Sequence, residues 1–193
     1  MKPKNNLLFW QPQQDYLRLL TSTIPGRIVL VICNYAIWFF LFYISFSLIK
    51  FNINIFWQIL FATISAEIVE KVLKSKIYWK RPMFTRHDHT PPGLVDKWYQ
   101  TGSFPSGHTI KAVFFLLFCL QYQVFNPITF LIVVIPLLFF RILVGFHYPV
   151  DMLGGLFIGL ILWFANSWYT LPSLINQLVK LIFDTMFMLP YVG

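Results

Sequence analysis

The chain has 193 residues, 58% of them hydrophobic and 11% charged, with 22 Phe, 7 Trp and a net charge of +8. Soluble domains carry about a quarter charged residues, so this chain lacks the side chains to build a water-facing shell, and its composition is that of a membrane protein. Cys33 and Cys119 both fall inside apolar stretches, which excludes a disulfide framework and metal-type cysteine spacing.

In chain order, the basic start MKPKNN is followed only by LLFW before polar QPQQD, so no cleavable signal peptide is expected. Residues 6–20 mix apolar side chains with Asp15 and Arg18 and read as an interfacial amphipathic helix, as does the rest of the region 1–27. Residues 28–49, IVLVICNYAIWFFLFYISFSLI, carry no charge. As a helix they extend about 33 Å, enough to cross a bilayer. Four further stretches, about 53–73, 108–125, 127–144 and 152–168, predict four more spans. Residues 172–189, with Lys180 and Asp184, predict a second interfacial helix within the C-terminal region 169–193. The expected fold is an all-α polytopic membrane helical bundle of about five transmembrane helices, six being the alternative count, with amphipathic terminal helices. No internal repeat or low-complexity linker divides it, so residues 1–193 are read as one domain.

Where charge is scarce its placement is informative. Seven of the 15 Lys and Arg lie between Lys71 and Lys97, and all four histidines (87, 89, 108, 147) lie in or beside loops. With five spans, the loop joining spans two and three and the loop joining spans four and five open on the same membrane face.

Three polar clusters follow. In EIVEKVLKSKIYWKRPMF, Glu67–Lys71 and Glu70–Lys74 stand four apart and can pair on a helix. Pro82 biases Arg81 out of helical geometry, leaving it at a helix end facing the loop. In FPSGHT, Pro105 sets a turn, Ser106 is a candidate N-cap and Gly107 lets a ligand approach the backbone. The free N–H groups that follow make an anion site, with His108 at its edge. The alternative is an ordinary capped helix with an interfacial histidine. In FFRILVGFHYPVDMLGG, Arg141 near a span end is costly in hydrocarbon unless paired or functional. Pro149 suits the first turn of the last span. Asp151, in the same turn, is able to accept a hydrogen bond from one ring nitrogen of His147 and leave the other as nucleophile or base. A carboxylate that merely complements the helix dipole is the rival reading. Three cations, a helix N-terminus, two histidines and one carboxylate on one face fit a phosphoryl group.

Lys74-x6-Arg81-Pro82, Pro105-Ser106-Gly107-His108 and Arg141-x5-His147-x3-Asp151 together resemble the three signature motifs of the type 2 phosphatidic acid phosphatase family, in order and spacing. The resemblance covers about residues 55–165. It departs at Phe140, which stands where the family's third motif usually has serine. The resemblance implies a lipid phosphatase needing no metal and no cofactor. His147 would attack phosphorus and become a transient phosphohistidine, Asp151 would orient His147, and His108 would protonate the leaving oxygen and then activate water. Lys74, Arg81 and Arg141, with Ser106 and the Gly107 amide, would bind the nonbridging oxygens.

Lys111, one turn after His108, either touches a phosphate or, more commonly for such a lysine, snorkels to the interface; it is left outside the catalytic set. His87 and His89, with Arg86 and Asp88, belong either to a lid over the head group or to a solvated loop. Expected partners are a membrane lipid substrate and the bilayer, with no nucleic acid; oligomeric state stays open. Phosphatidic acid, phosphatidylglycerol phosphate and polyprenyl diphosphates such as undecaprenyl diphosphate are all implied as substrates.

Family members generally place the site on the extracytoplasmic face. Charge counting opposes this: Lys2, Lys4, Arg18, Arg27, Lys76, Lys80, Arg86 and Lys97 share the site face, against Lys50 and Lys180 opposite. Two other readings use the same residues. A vanadate-dependent haloperoxidase would share the motifs, but those enzymes are soluble and the spans count against it. A noncatalytic lipid-binding or lipid-moving protein would have lost His147 or His108, and both are present.

Overall fold

The computed structural model describes residues 7–85, 94 and 96–187. Its helices are α1 (Tyr16–Ser22), α2 (Ile24–Phe51), α3 (Asn54–Ser75), α4 (Asp96–Tyr99), α5 (Gly107–Tyr122), α6 (Pro127–Leu143), α7 (Pro149–Asn166) and α8 (Ser173–Phe187). Short 3-10 turns occur at Leu7–Phe9 and Pro82–Thr85, and there is no strand among the described residues.

Each apolar stretch becomes one helix, and local chemistry fixes where each begins. Thr23 caps α2 by accepting from Gly26 N, and Pro25 occupies its first turn. Asn126 accepts from Ile128 N and Thr129 N ahead of Pro127 in α6. α2 and α7 are long and apolar enough to cross a membrane; α5 and α6 are apolar too but have 16 and 17 residues, about 24–26 Å each. Large apolar side chains point outward along these helices, with Phe39 76% and Phe164 65% exposed. Such a surface fits hydrocarbon rather than water.

Inside, Ile44, Leu48, Ile55, Phe114, Phe118 and Phe130 form the main core among α2, α3, α5 and α6. α5 and α7 approach most closely, because α7 presents Gly155 and Gly159 to its partner. A Cβ on Gly155 would lie 2.8 Å from Ser106 O, and one on Gly159 2.7 Å from Ile110 O. The contact sets the first turns of α5 and α7 side by side, where Ser106 N donates to Asp151 O at 3.0 Å.

The ends differ from each other. α8 leaves Leu174, Leu178, Leu181 and Ile182 exposed, consistent with the amphipathic expectation. Asn176 on its first turns accepts from Trp57 Nε1 at 2.9 Å, tying it to the beginning of α3. The single helix expected over 6–20 is broken. Pro12 interrupts it, and Asp15 caps a new helix by accepting from Arg18 N at 3.1 Å. Phe9 packs edge-on against Trp79 and Tyr148, at ring centroid distances of 5.1 and 5.3 Å. This segment lies against the loops of the polar end instead of forming one continuous surface helix.

Candidate active site

The loop between α6 and α7 carries the first of the site residues. Gly145 adopts φ +78°, a left-handed conformation that side chains rarely take. Its carbonyl accepts from Met83 N at 2.8 Å. Phe146 N and His147 N both donate back to Arg141 O, at 2.9 and 3.3 Å, which folds the loop onto the last turn of α6. His147 is thereby buried, with 1% exposure.

Asp151, from the first turn of α7, faces His147 Nδ1 through Oδ2 at 3.3 Å. The same carboxylate oxygen accepts from Tyr148 N at 2.8 Å and from the Ser103 hydroxyl, while Oδ1 accepts from Trp79 Nε1 at 3.0 Å. These donors fix the orientation of the carboxylate, so a neutral imidazole that donates to it carries its proton on Nδ1 and its lone pair on Nε2. Arg81 Nη1 stands 3.4 Å from that Nε2 and donates to Phe146 O at 3.1 Å. Burial first, and then the positive charges of Arg81, Arg141 and Lys74, hold His147 well below the usual histidine range. Its ring is neutral and its free nitrogen faces cations.

The other residues gather around it. Lys74, on the last turn of α3, is ion-paired with Glu70. Arg81 and Arg141 are both buried, and Arg141 Nη1 donates to Asn34 Oδ1 of α2 at 2.7 Å while its guanidinium lies over the Phe146 ring. Ser106 caps α5 as expected, accepting from Thr109 N at 3.4 Å and from Thr109 Oγ1 at 3.0 Å. His108, on the first turn of α5, packs edge-on against Trp38 at 4.7 Å. Its Nε2 is buried with no hydrogen-bond partner among the described residues.

Lys74, Arg81, His108, Arg141 and His147 line one cavity of about 1020 Å³ that continues past Tyr35, Phe39 and Ile68 between α2 and α3. Its size suits a substrate with both a polar head and apolar chains. No group of three or more His, Cys, Asp or Glu side chains gathers as a metal-binding set among the described residues.

All eight residues singled out by the motifs therefore stand at one end of the bundle, with Asp151 behind His147 and Ser106–Gly107 at the start of α5. Phe140, in the family's serine position, packs against the apolar cluster of Leu17, Met83 and Phe146. Lys111 departs from expectation, because it does not snorkel: it is buried and pairs with Glu67 at 2.7 Å and Glu70 at 3.3 Å. Glu67 thus pairs with Lys111 on α5, whereas Glu70 pairs with Lys74 as anticipated. His87 and His89, with Arg86 and Asp88, lie outside the described residues.

Sequence reasoning missed Asn34, Trp38, Trp79 and Ser103. An uncharged polar residue within the first span was the available signal for Asn34, since buried polar groups in such a helix need partners. Ser103 gives a direct test. Ser103→Ala removes one donor from Asp151 and, for the phosphate hydrolysis that the motif resemblance implies, should lower kcat about tenfold with KM little changed, with Ser103→Thr recovering part of the loss.

Residues 55–174 match the family model of the PAP2 superfamily. Among solved structures, the crystal structure of a transmembrane PAP2-type phosphatidylglycerolphosphate phosphatase from Bacillus subtilis aligns at 21% identity, covering 83% of this chain and 78% of that one with a TM-score of 0.46. No curated protein matches. The family match spans all three motifs and more than half of the chain, and the chain belongs to the PAP2 superfamily, the type 2 phosphatidic acid phosphatase family.

Proposed function

We propose that this protein is a membrane lipid phosphatase that hydrolyses a terminal phosphate or diphosphate through a phosphohistidine on His147. Family membership supports a phosphatase, and the outward apolar surface supports a membrane setting. The observation that carries the mechanism is the buried His147, bonded through Nδ1 to a fixed Asp151 and presenting Nε2 to Arg81 in a cavity shared with Lys74, Arg141 and His108.

In the first step Nε2 forms a bond to phosphorus as the bond from phosphorus to the ester or anhydride oxygen breaks, and His108 gives a proton to the departing oxygen. Asp151 stabilises the charge that His147 acquires. Lys74, Arg81, Arg141 and the amides at the start of α5 bear the charge on the nonbridging oxygens. In the second step water attacks phosphorus, His108 takes its proton, the P–N bond breaks, and phosphate leaves. The substrate classes are phosphatidic acid, phosphatidylglycerol phosphate and undecaprenyl diphosphate, each able to present its phosphate from the bilayer. Following the family's usual orientation, the site faces the extracytoplasmic side.

The test is phosphate release by detergent-purified protein in EDTA from these three lipids and a soluble phosphomonoester, with acid-labile phosphoenzyme trapped in parallel. Release from at least one lipid, faster than from the soluble ester and accompanied by a phosphohistidine, is expected. Folded protein that releases phosphate from none of them and traps no phosphoenzyme would overturn the reading.

A further inference from the structure

The two histidines of the site are held by different means. His147 has Asp151 Oδ2 behind it, 3.3 Å from Nδ1, as suits a nucleophile that must acquire positive charge. His108 pairs with no carboxylate among the described residues, and its Nε2 is buried without a hydrogen-bond partner there. What its ring meets is Trp38 of α2, with the ring centroids 4.7 Å apart and the planes at 61°, within the range where aromatic pairs attract.

The indole is itself fixed. Lys111 Nζ lies over it, 5.0 Å from the ring centroid, and the same ammonium is anchored by Glu67 at 2.7 Å and Glu70 at 3.3 Å. His108 and Lys111 are neighbours one turn apart on α5, so one indole bears on both. Trp38, His108 and Lys111 all line the cavity. Trp38 belongs to the first span, ahead of the residues 55–174 that match the family model.

Proton transfer gives a reason for holding this ring by packing. In the proposed mechanism His108 gives a proton to the leaving oxygen and later takes one from water, so both of its protonation states must be accessible. A carboxylate partner would bias it towards the charged form, and a protein hydrogen bond at Nε2 would occupy a nitrogen the substrate needs. An indole fixes the place of the ring and imposes neither restriction.

We propose that Trp38 is a positioning residue for His108: in contact with both that imidazole and the Lys111 ammonium, it holds the ring where proton transfer to and from the substrate takes place. This rests on the phosphatase reading above and deepens it. A residue that only packs α2 on α5 would affect both chemical steps alike, whereas one that positions an acid-base group slows the steps in which a proton moves.

The experiment uses the full chain in detergent, with melting curves to establish folding and two substrates. Phosphatidic acid needs a proton on its departing oxygen. p-Nitrophenyl phosphate does not, because its phenolate leaves unaided, so with it only the breakdown of the phosphoenzyme calls on His108. On phosphatidic acid, Trp38→Leu should lower kcat about tenfold with KM little changed, and Trp38→Phe should recover most of the loss. Trp38→Leu should cost nothing further when added to His108→Ala. On p-nitrophenyl phosphate, Trp38→Leu should give a burst of about one nitrophenolate per chain followed by slow release, with phosphoenzyme accumulating. Lys111→Met, which loosens the indole and leaves it in place, should show the same pattern with about a threefold loss. Folded Trp38→Leu that keeps the wild-type rate on phosphatidic acid, or whose loss adds to that of His108→Ala, would overturn the proposal while leaving the phosphatase reading intact. So would equal slowing of the two phases on the aryl ester. Wild-type protein that releases phosphate from neither substrate and traps no phosphoenzyme would overturn both.

Discussion

His147→Ala is expected to reduce phosphate release by about 10³-fold or more and to abolish the trapped phosphoenzyme. A mechanism in two halves needs a nucleophile whose lone pair is available and whose new charge is stabilised, and His147 meets both needs. Nδ1 is committed to Asp151 at 3.3 Å, Nε2 faces the cavity, and the ring is held neutral by burial and its cationic neighbours. No other histidine among the described residues has a carboxylate behind it. Removing a group that acts with its partners as a unit typically costs as much as losing the whole set, so His147→Ala combined with Asp151→Ala should be scarcely slower than His147→Ala alone. Initial rates with the preferred lipid and acid-labile label incorporation check this. An additive loss in the double variant would mean that Asp151 acts independently of His147.

Gly155→Leu is expected to lower both stability and activity. A Cβ at this position already meets Ser106 O at 2.8 Å and Thr109 Cβ at 2.8 Å. The first is backbone and the second belongs to a branched side chain held in the α5 cap, so neither can yield without moving the helix. Overpacking of this kind costs about 1–3 kcal/mol, or roughly 2–12 °C of melting temperature for a domain of this size. The activity loss should exceed what stability alone explains, about 100-fold, because the displaced turn carries Ser106, Gly107 and His108. Leu156→Ala, on the partly exposed side of the same helix, should change neither. Melting curves in detergent and initial rates separate the two effects.

Much of this architecture is readable from the chain because apolar and charged residues segregate so sharply. An arginine near the end of an otherwise apolar helix, or a Ser-Gly-His between a proline and a hydrophobic run, is visible without coordinates. What escapes is what depends on a partner far along the chain. Lys111 looks like a snorkelling lysine until Glu67 and Glu70, some 40 positions earlier, are placed beside it on a neighbouring helix. Ser103 and Trp79 are ordinary loop residues until the tertiary fold points both at Asp151. Asn34 is hidden in a span whose neighbours are apolar, and only the approach of α6 gives it Arg141. The N-terminal segment misleads for a local reason, since its amphipathic pattern runs across Pro12 and the capping Asp15, which divide it.

The position of Phe9 has a practical side. By packing on Trp79 and Tyr148 it touches both the residue that donates to Asp151 and the neighbour of His147. Bulk fused ahead of it would strain the ring contacts that hold Trp79 and Tyr148 beside the His147 loop, whereas α8 is anchored near Asn54 and Trp57, about 30 Å of helix from Lys74. Affinity handles for purification, fluorophores and surface-immobilisation linkers are therefore expected to disturb turnover less when joined after α8 than when joined ahead of Phe9, which initial rates of the two fusions check.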